Sequence, residues 1–177
     1  MKVCMIVTNG FEELETVGTY AILRRGGLTV DVYSLRGEQA TGRFGLHCVN
    51  FIPFAQFQDK EYAAIILPGG PQYQELENTP RLLELLKDFY ARGKQVCAIC
   101  ASPTILGHLG LLKGKKYTCF TSMNEDFGGT YLDDYAVTDG QIITGKSAAA
   151  AIDFGFAILR AVCGADREQQ VKQDIYY

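Results

Sequence analysis

The sequence predicts an α/β protein in which a mainly parallel sheet is covered by helices on both faces. Short segments at 2–7, 63–67 and 95–99 are almost continuously apolar, which is typical of strands buried on both sides. Between them lie segments in which apolar residues recur every three or four positions, as in amphipathic helices. This alternation favours parallel strands joined by helical crossovers.

The first half of the chain contains two clear strand patterns separated by one helix pattern. The strand at 2–7 breaks at a polar turn, and a helix is predicted over 12–25. Gly26 and Gly27 end that helix, because glycine adopts the backbone conformations that terminate helices. A strand with alternating side chains is predicted at 28–35, and a short hairpin within 37–52.

The second half continues the alternation and adds one hairpin. Each of its strands is short and apolar, and each predicted helix presents an apolar stripe. The predicted strands are 63–67, 95–99, 117–120 and the hairpin 135–138 with 141–144; the predicted helices are 82–89, 101–109, 148–163 and a last turn or two from 166.

Composition places the chain among ordinary globular proteins. It has 177 residues, of which 47% are hydrophobic and 21% charged, and a net charge of −3. We expect a single domain over 1–177, because no linker, repeat or composition break divides it. The charge favours neither nucleic acid nor an acidic membrane as a partner. No export signal or apolar run of about 18 residues is present, so the expected location is cytoplasmic.

Six cysteines occur, at 4, 48, 97, 100, 119 and 163. An even number can indicate disulfides, but a chain of this length without an export signal favours thiols. Cys4, Cys97, Cys119 and Cys163 lie in apolar patterns and are predicted to be small buried hydrophobes. Cys97 and Cys100 have the spacing of a redox motif, but Cys97 belongs to a strand and is expected to point into the core.

Cys100 is the strongest candidate for a reactive residue. The predicted strand 95–99 meets the predicted helix 101–109 with almost no loop, so Cys100 must occupy a sharp elbow. Such a turn often holds its residue in an uncommon backbone conformation. Unpaired N–H groups at the start of a helix stabilise a thiolate, which predicts a lowered pKa. The alternative is a buried structural cysteine.

Two further strand ends supply groups that such a cysteine needs. Gly69 and Gly70 follow the strand 63–67, and together with the N–H of Ala101 they could form an oxyanion hole. A Pro-Gly-Gly sequence is more often only a turn. Acidic residues at 12, 13 and 15 follow the first strand, where they are expected simply as partners of the helix dipole.

Taken together, these segments resemble the ThiJ/PfpI superfamily, and within it the deglycase-like branch. The resemblance covers nearly the whole chain. The motifs that carry it are 10–16 (GFEELET), 23–27 (LRRGG), 67–70 (LPGG), 98–104 (AICASPT), 110–115 (GLLKGK) and the helix before Cys163-Gly164.

The resemblance implies a flavodoxin-like sandwich that forms a homodimer. It implies that Cys100 is the family's nucleophilic, oxidation-prone cysteine, and that Glu15 is the carboxyl that hydrogen-bonds to it. It further implies that Gly69, Gly70 and Ala101 are the backbone donors. Arg25 matches a basic residue near the dimer interface, although a solvated helix end explains it equally well.

The chain departs from the family pattern at its histidines. Ala101 stands where one branch has a histidine, Phe120 stands where the deglycase-like branch has another, and Ala21 replaces an acidic residue. Only two histidines occur. His47 is expected at the surface, and His108 is about 12 Å along its helix from Cys100, too far for a hydrogen bond. A Cys-His-acid triad, and with it peptidase activity, is therefore not expected.

Two functions remain open at this point. In the first, Cys100 adds to a reactive carbonyl compound and Glu15 moves a proton, as in a glyoxalase or deglycase. In the second, the protein senses or resists oxidative stress through oxidation of Cys100 to a sulfinate, with little catalysis. Neither requires a cofactor, and no metal-ligand spacing or dinucleotide motif is present. A role in thiamine synthesis, suggested by older family names, has no specific support in the residues.

Overall fold

A seven-stranded sheet forms the centre of the molecule in the computed structural model, which describes residues 1–58 and 61–177. Its order is β10-β11-β7-β6-β1-β2-β5, and only β10 is antiparallel to its neighbour. Two small two-stranded sheets, β3-β4 and β8-β9, lie outside it. The strands are β1 Lys2–Val7, β2 Thr29–Ser34, β3 Gln39–Thr41, β4 His47–Val49, β5 Ile52–Pro53, β6 Ala64–Leu67, β7 Gln95–Ile99, β8 Lys116–Tyr117, β9 Thr130–Tyr131, β10 Ala136–Asp139 and β11 Ile142–Gly145.

Helices cover both faces of the sheet, which confirms the predicted flavodoxin-like α/β fold. Side chains alternate along each strand, so Met5 of β1 packs on one face and Ile6 on the other. The Met5 face is covered by α1, α5 and α6, and the Ile6 face by α2, α3 and α4. The helices are α1 Glu13–Arg25, α2 Tyr73–Glu77, α3 Pro80–Ala91, α4 Pro103–His108, α5 Ala151–Cys163 and α6 Ala165–Asp174.

The predicted hairpin within 37–52 is confirmed as β3-β4, whereas the predicted strand 117–120 is too long. Strand β8 ends at Tyr117. The N–H of Thr118 donates to the Thr144 hydroxyl oxygen at 2.9 Å rather than to a backbone carbonyl. Because the Thr118 N–H is bonded to a side chain, it is not available for a backbone bond between strands. The segment from Thr118 to Phe120 is therefore not a strand.

Several helix ends differ from the predicted ones. Helix α4 begins at Pro103 instead of 101, because residues 101 and 102 form the turn that follows Cys100. Helix α2 was not predicted, since its five residues are too few to show a periodic pattern. Helix α6 is longer than the expected turn or two. No helix in the described ranges is long and apolar enough to cross a membrane.

Burial of the cysteines follows the prediction with one exception. Cys4, Cys97 and Cys119 are fully buried. Cys97 points into the core from β7, as expected, and burial raises its pKa. Cys163 is only half-buried, because α5 ends there and Gly164 turns the chain away from the core.

Candidate active site

Cys100 lies at the carboxyl end of β7, on the sharp turn that the sequence predicts. Its φ angle is +65°, in the left-handed region that only a strained turn imposes on a cysteine. The backbone is held on both sides: the Cys100 N–H donates to the Gly145 carbonyl at 2.9 Å, and its carbonyl accepts from the Phe120 N–H at 2.8 Å. The residue as a whole is half-buried.

Glu15 contacts the thiol from the first turn of α1. Its side chain is completely buried and lies beside Cys100, whose thiol acts to lower the pKa of the carboxyl. Its placement depends on Glu12, which caps α1 by accepting from the Glu15 N–H at 2.8 Å. The Glu12 N–H in turn donates to the Gly69 carbonyl at 3.1 Å, which ties the start of α1 to the end of β6.

Gly69 serves a different purpose from the predicted one. Its N–H donates to Glu15 Oε2 at 2.7 Å, so it orients the carboxyl and is not free to receive an oxyanion. A Cβ atom at this position would lie 2.7 Å from both Cys100 Cβ and Glu15 Oε2. Only glycine therefore lets these two side chains meet.

Gly70 and Ala101 supply two backbone N–H groups near Cys100. Both favour its thiolate and so act to lower the pKa of the thiol. Gly70 has a φ angle of +88°, and a Cβ atom there would lie 2.5 Å from the Gly10 carbonyl oxygen. The glycine loop and the residue after the cysteine thus lie on two sides of Cys100, and their service as oxyanion donors stays a prediction.

Burial raises the pKa of Glu15 from its ordinary 4.5 to about 7. The negative charge of Glu12 adds to this effect, while the hydrogen bonds from Cys100 and Gly69 and the positive charge of Arg43 oppose it. Glu15 Oε1 has no nitrogen or oxygen partner among residues 1–58 and 61–177. The carboxyl is therefore poised to gain or lose a proton near neutral pH.

The pKa of the Cys100 thiol is raised, and the prediction of a lowered value was wrong. Burial is the largest cause, followed by the charge of an ionised Glu15; together they outweigh the N–H groups of Ala101 and Gly70. The two groups share protons, so the first proton leaves the pair near pH 7 and the second is held more tightly.

Two buried polar residues that the sequence analysis missed hold the loop beneath the cysteine. The Ser102 hydroxyl donates to the Pro68 carbonyl at 2.7 Å, and the Gln72 side-chain amide donates to the same oxygen at 2.8 Å. Gln72 also accepts from the Thr8 N–H at 2.8 Å. Three strand ends are joined in this way. Nothing in the local pattern of Gln72 distinguishes it from a surface residue.

The hydrogen bonds of both histidines go to residues other than Cys100. His47 is exposed, as the sequence predicts, and pairs with Thr41, whereas His108 pairs with Glu77 and Glu125. Exposed Arg25 ends α1, half-buried Ala21 lies within it, and Phe120 is 44% exposed. Within the described ranges, no group of three or more His, Cys, Asp or Glu side chains could hold a metal ion.

Comparison with known proteins gives consistent similarities. The sequence pattern described as the DJ-1/PfpI family matches residues 1–161. The glutathione-independent glyoxalase DJR-1.2 of Caenorhabditis elegans is 31% identical over 88% of this chain and 85% of its own. The deglycase PfpI of Pyrococcus furiosus is 28% identical over 82% and 90%. The crystal structure of Drosophila melanogaster DJ-1beta superposes with a TM-score of 0.91 at 28% identity, covering 99% of this chain and 97% of that one.

Replacement of Gly70 with alanine tests the close approach of the loop to the site. The added Cβ atom would meet the Gly10 carbonyl oxygen and the Glu12 amide nitrogen, at 2.5 and 2.7 Å, so the backbone must shift. We expect Gly70→Ala to lower the free energy of unfolding by more than the roughly 1–2 kcal/mol of left-handed strain, and to slow alkylation of Cys100. Urea titration and mass spectrometry measure the two effects.

Gly37→Ala is the matched control for this change. Gly37 has a similar φ angle of +82°, and no atom lies within 4 Å of a Cβ atom built there. Alanine at this position therefore adds only the strain of a left-handed backbone. Equal loss of stability in the two variants, with unchanged Cys100 reactivity in Gly70→Ala, would contradict the steric account.

Replacement of Glu15 with glutamine tests the raised carboxyl pKa. Because the folded pKa is about 7 and the ordinary value 4.5, the protonated carboxyl contributes stability below pH 4.5 that is lost as pH rises through 7. Glutamine carries no charge at any pH. Glu15→Gln should therefore match the wild type near pH 4.5 and exceed it above pH 7 by on the order of 3 kcal/mol.

Denaturant unfolding at a series of pH values measures this difference. Glu84→Gln, at an exposed position of α3, is the control and should show no such trend. A difference between Glu15→Gln and wild type that stays constant with pH would exclude a carboxyl titrating near neutrality.

Proposed function

The chain belongs to the DJ-1/PfpI family, and from this premise we propose that it is a cysteine-dependent enzyme acting on reactive carbonyl compounds. The substrates are small α-oxoaldehydes or the adducts they form, as in a glyoxalase or deglycase. One observation carries the proposal: a buried carboxyl with a pKa of about 7 lies beside the half-buried Cys100, near two backbone N–H groups that favour its thiolate. A nucleophile, its base and its donors are thereby held together.

Glu15 acts first as a general base. As the Cys100 sulfur attacks the aldehyde carbon, the thiol proton passes to the Glu15 carboxylate and a carbon–sulfur bond forms. Negative charge develops on the former aldehyde oxygen, close to the N–H groups of Gly70 and Ala101. Protonation of that oxygen by Glu15 gives a hemithioacetal and regenerates the carboxylate.

The same carboxylate then completes an internal redox step. It removes the proton from the carbon bonded to sulfur, which gives an enediol, and returns it to the neighbouring ketone carbon. The hemithioacetal hydroxyl proton passes to the former ketone oxygen in the same rearrangement. The first carbon is thereby oxidised to a thioester and the second reduced to an alcohol. Water hydrolyses the thioester, which releases a 2-hydroxy acid and restores the thiol. The net change is addition of one water to the oxoaldehyde.

Phe120 occupies the position where the deglycase-like branch has a histidine, so every proton transfer falls to Glu15. A group with a pKa near the working pH can serve as both acid and base, but only one proton can be on it at a time. We therefore propose that turnover is slow relative to family members that carry the histidine.

Oxidation of Cys100 is the second candidate function. The raised pKa of Glu15 keeps a carboxyl proton available near neutral pH, and this proton can hydrogen-bond to a sulfinate oxygen. Two molecules of hydrogen peroxide would convert the thiolate to a sulfinate, with release of two waters. The Gly70 and Ala101 N–H groups would then stabilise the product rather than a transition state.

Turnover of methylglyoxal by purified protein tests the enzyme proposal. We expect D- or L-lactate to form at a rate that is abolished in Cys100→Ser and lowered roughly 100-fold or more in Glu15→Gln. Wild-type kcat/KM should rise with pH through about 7, as Glu15 becomes a carboxylate that can accept the thiol proton. Glu15→Gln should lose that inflection.

Peptide mass analysis after peroxide treatment separates the two candidates. Cys97→Ser, at a buried cysteine, is the control for selectivity. Sulfinate formed selectively on Cys100, combined with turnover no faster than in Cys100→Ser, would reject the enzyme and favour the redox function.

We also propose that the protein forms a homodimer through the exposed face of α1. Leu14 and Val17 on that helix are 52% and 46% exposed, and Val49 of the neighbouring hairpin is 53% exposed. Val17 and Val49 border a groove of about 540 Å³ between α1 and β4-β5. An apolar helix beside an apolar groove is self-complementary, as a two-fold interface requires.

Replacement of Val17 with aspartate tests the dimer. Burial of an unpaired charge at a dimer interface is unfavourable, so Val17→Asp should halve the mass measured by light scattering. Tyr135→Asp, at another exposed apolar position, should leave it unchanged. A monomeric wild-type protein at micromolar concentration would contradict the proposal.

A further inference from the structure

A recess of about 420 Å³ lies beside the chain segments that hold the backbone of Cys100. It is lined by Phe120, Thr121, Ser122, Lys146 and Ser147. Two of these residues adjoin the backbone groups that hold Cys100: Phe120 donates to its carbonyl, and Lys146 directly follows Gly145, which accepts from its N–H. The recess therefore adjoins the two segments that fix the elbow.

The polar groups along one wall of the recess are paired with one another. Lys146 Nζ lies 2.5 Å from Asp133 Oδ1, and this pairing raises the pKa of Lys146 and lowers that of Asp133. The Tyr131 hydroxyl donates to the same Asp133 oxygen at 3.2 Å and lies 3.1 Å from the Thr121 hydroxyl. The positive charge of Lys146 is thus neutralised locally and does not attract an anion strongly.

Phe120 supplies the apolar surface of the recess. Its ring is 44% exposed, although its backbone is fixed by the hydrogen bond to Cys100. An exposed aromatic ring gains free energy when another apolar group covers it, and ring-on-ring contact is favourable in tilted or offset geometries. Cavities of roughly 150 Å³ can hold benzene. The recess is large enough for a phenyl group and offers it a ring to pack against.

We propose that this recess is a substrate subsite for an aromatic or bulky apolar substituent on the carbonyl compound. The inference rests on the proposed function and names its substrate class: uncharged aryl or branched-alkyl oxoaldehydes, in preference to methylglyoxal and to oxoacids. The Ser122 and Ser147 hydroxyls lie at the same recess, where they can remain hydrated or contact a substituent on the ring.

Alkylation of Cys100 tests the subsite without requiring turnover. The probes are 2-chloroacetophenone and chloroacetone, which share a leaving group and differ in a phenyl against a methyl group. Their rate ratio at Cys100 is divided by the ratio for N-acetylcysteine, which corrects for intrinsic reactivity. We expect the corrected ratio to be at least about tenfold in the wild type and to fall toward one in Phe120→Ala, with Phe120→Leu intermediate.

A corrected ratio near one in the wild type would overturn the proposal. So would a ratio that Phe120→Leu and Phe120→Ala leave unchanged, because the preference would then arise elsewhere. Phe120→Leu keeps an apolar side chain of similar size, and it therefore gives an answer even if the alanine variant does not fold.

A second pair of probes tests the neutralised charge. Iodoacetate and iodoacetamide differ by a carboxylate against a neutral amide. We expect the wild type to show no preference for iodoacetate beyond that of N-acetylcysteine, and Asp133→Asn to raise the relative rate of iodoacetate severalfold by leaving Lys146 unpaired. A wild-type preference for iodoacetate would instead make the recess an anion site and reject the neutral-substrate class.

Turnover separates failure of the subsite from failure of the proposed function. If phenylglyoxal is converted with a higher kcat/KM than methylglyoxal, and Phe120→Ala removes the difference, both are supported. If both compounds are converted with equal kcat/KM, the subsite is rejected and the enzyme proposal is supported. A phenyl preference in alkylation with no turnover of either compound rejects the enzyme and leaves the recess as a binding site for aryl electrophiles.

Discussion

The contact between the Glu15 carboxyl and the Cys100 thiol is the constraint on which the surrounding structure depends. Two acidic groups are held together in a largely buried site, where ionisation of either is costly. Such a pair is not favourable by itself. It persists because α1, the loop after β6 and the elbow after β7 are each fixed by hydrogen bonds other than the contact between these two side chains.

Those bonds connect the carboxyl ends of three neighbouring strands. Glu12 links the start of α1 to Gly69, and Ser102 and Gln72 both bond to the Pro68 carbonyl. The sheet order places β1, β6 and β7 side by side, so their ends meet at one edge. A left-handed Cys100 is tolerated because the ladder to β11 and the Phe120 N–H hold its backbone.

The sequence was sufficient for the α/β fold and for the position of the sharp turn at Cys100. The absence of a loop between an apolar strand and a helix identifies the elbow at Cys100 from local pattern alone. Glu15 could be assigned only through the family resemblance, because a carboxyl in the first turn of a helix is ordinary. The bond from the Gly69 N–H to Glu15 was missed for a similar reason. Local sequence does not show which of two neighbouring glycine N–H groups a distant carboxyl will reach.

The direction of the Cys100 pKa could not be predicted because it depends on tertiary burial. The local pattern contains the N–H donors, which lower the pKa, but not the burial and the charge of Glu15, which raise it. This difference changes the chemistry. A cysteine with a lowered pKa would be a thiolate before substrate arrives, whereas in the proposed mechanism Cys100 passes its proton to Glu15 during attack. Reactivity would then be set by the protonation state of the carboxyl. The proposed slow turnover and the proposed preference for larger uncharged carbonyl compounds would both follow from Phe120, which the family resemblance places where the deglycase-like branch has a histidine.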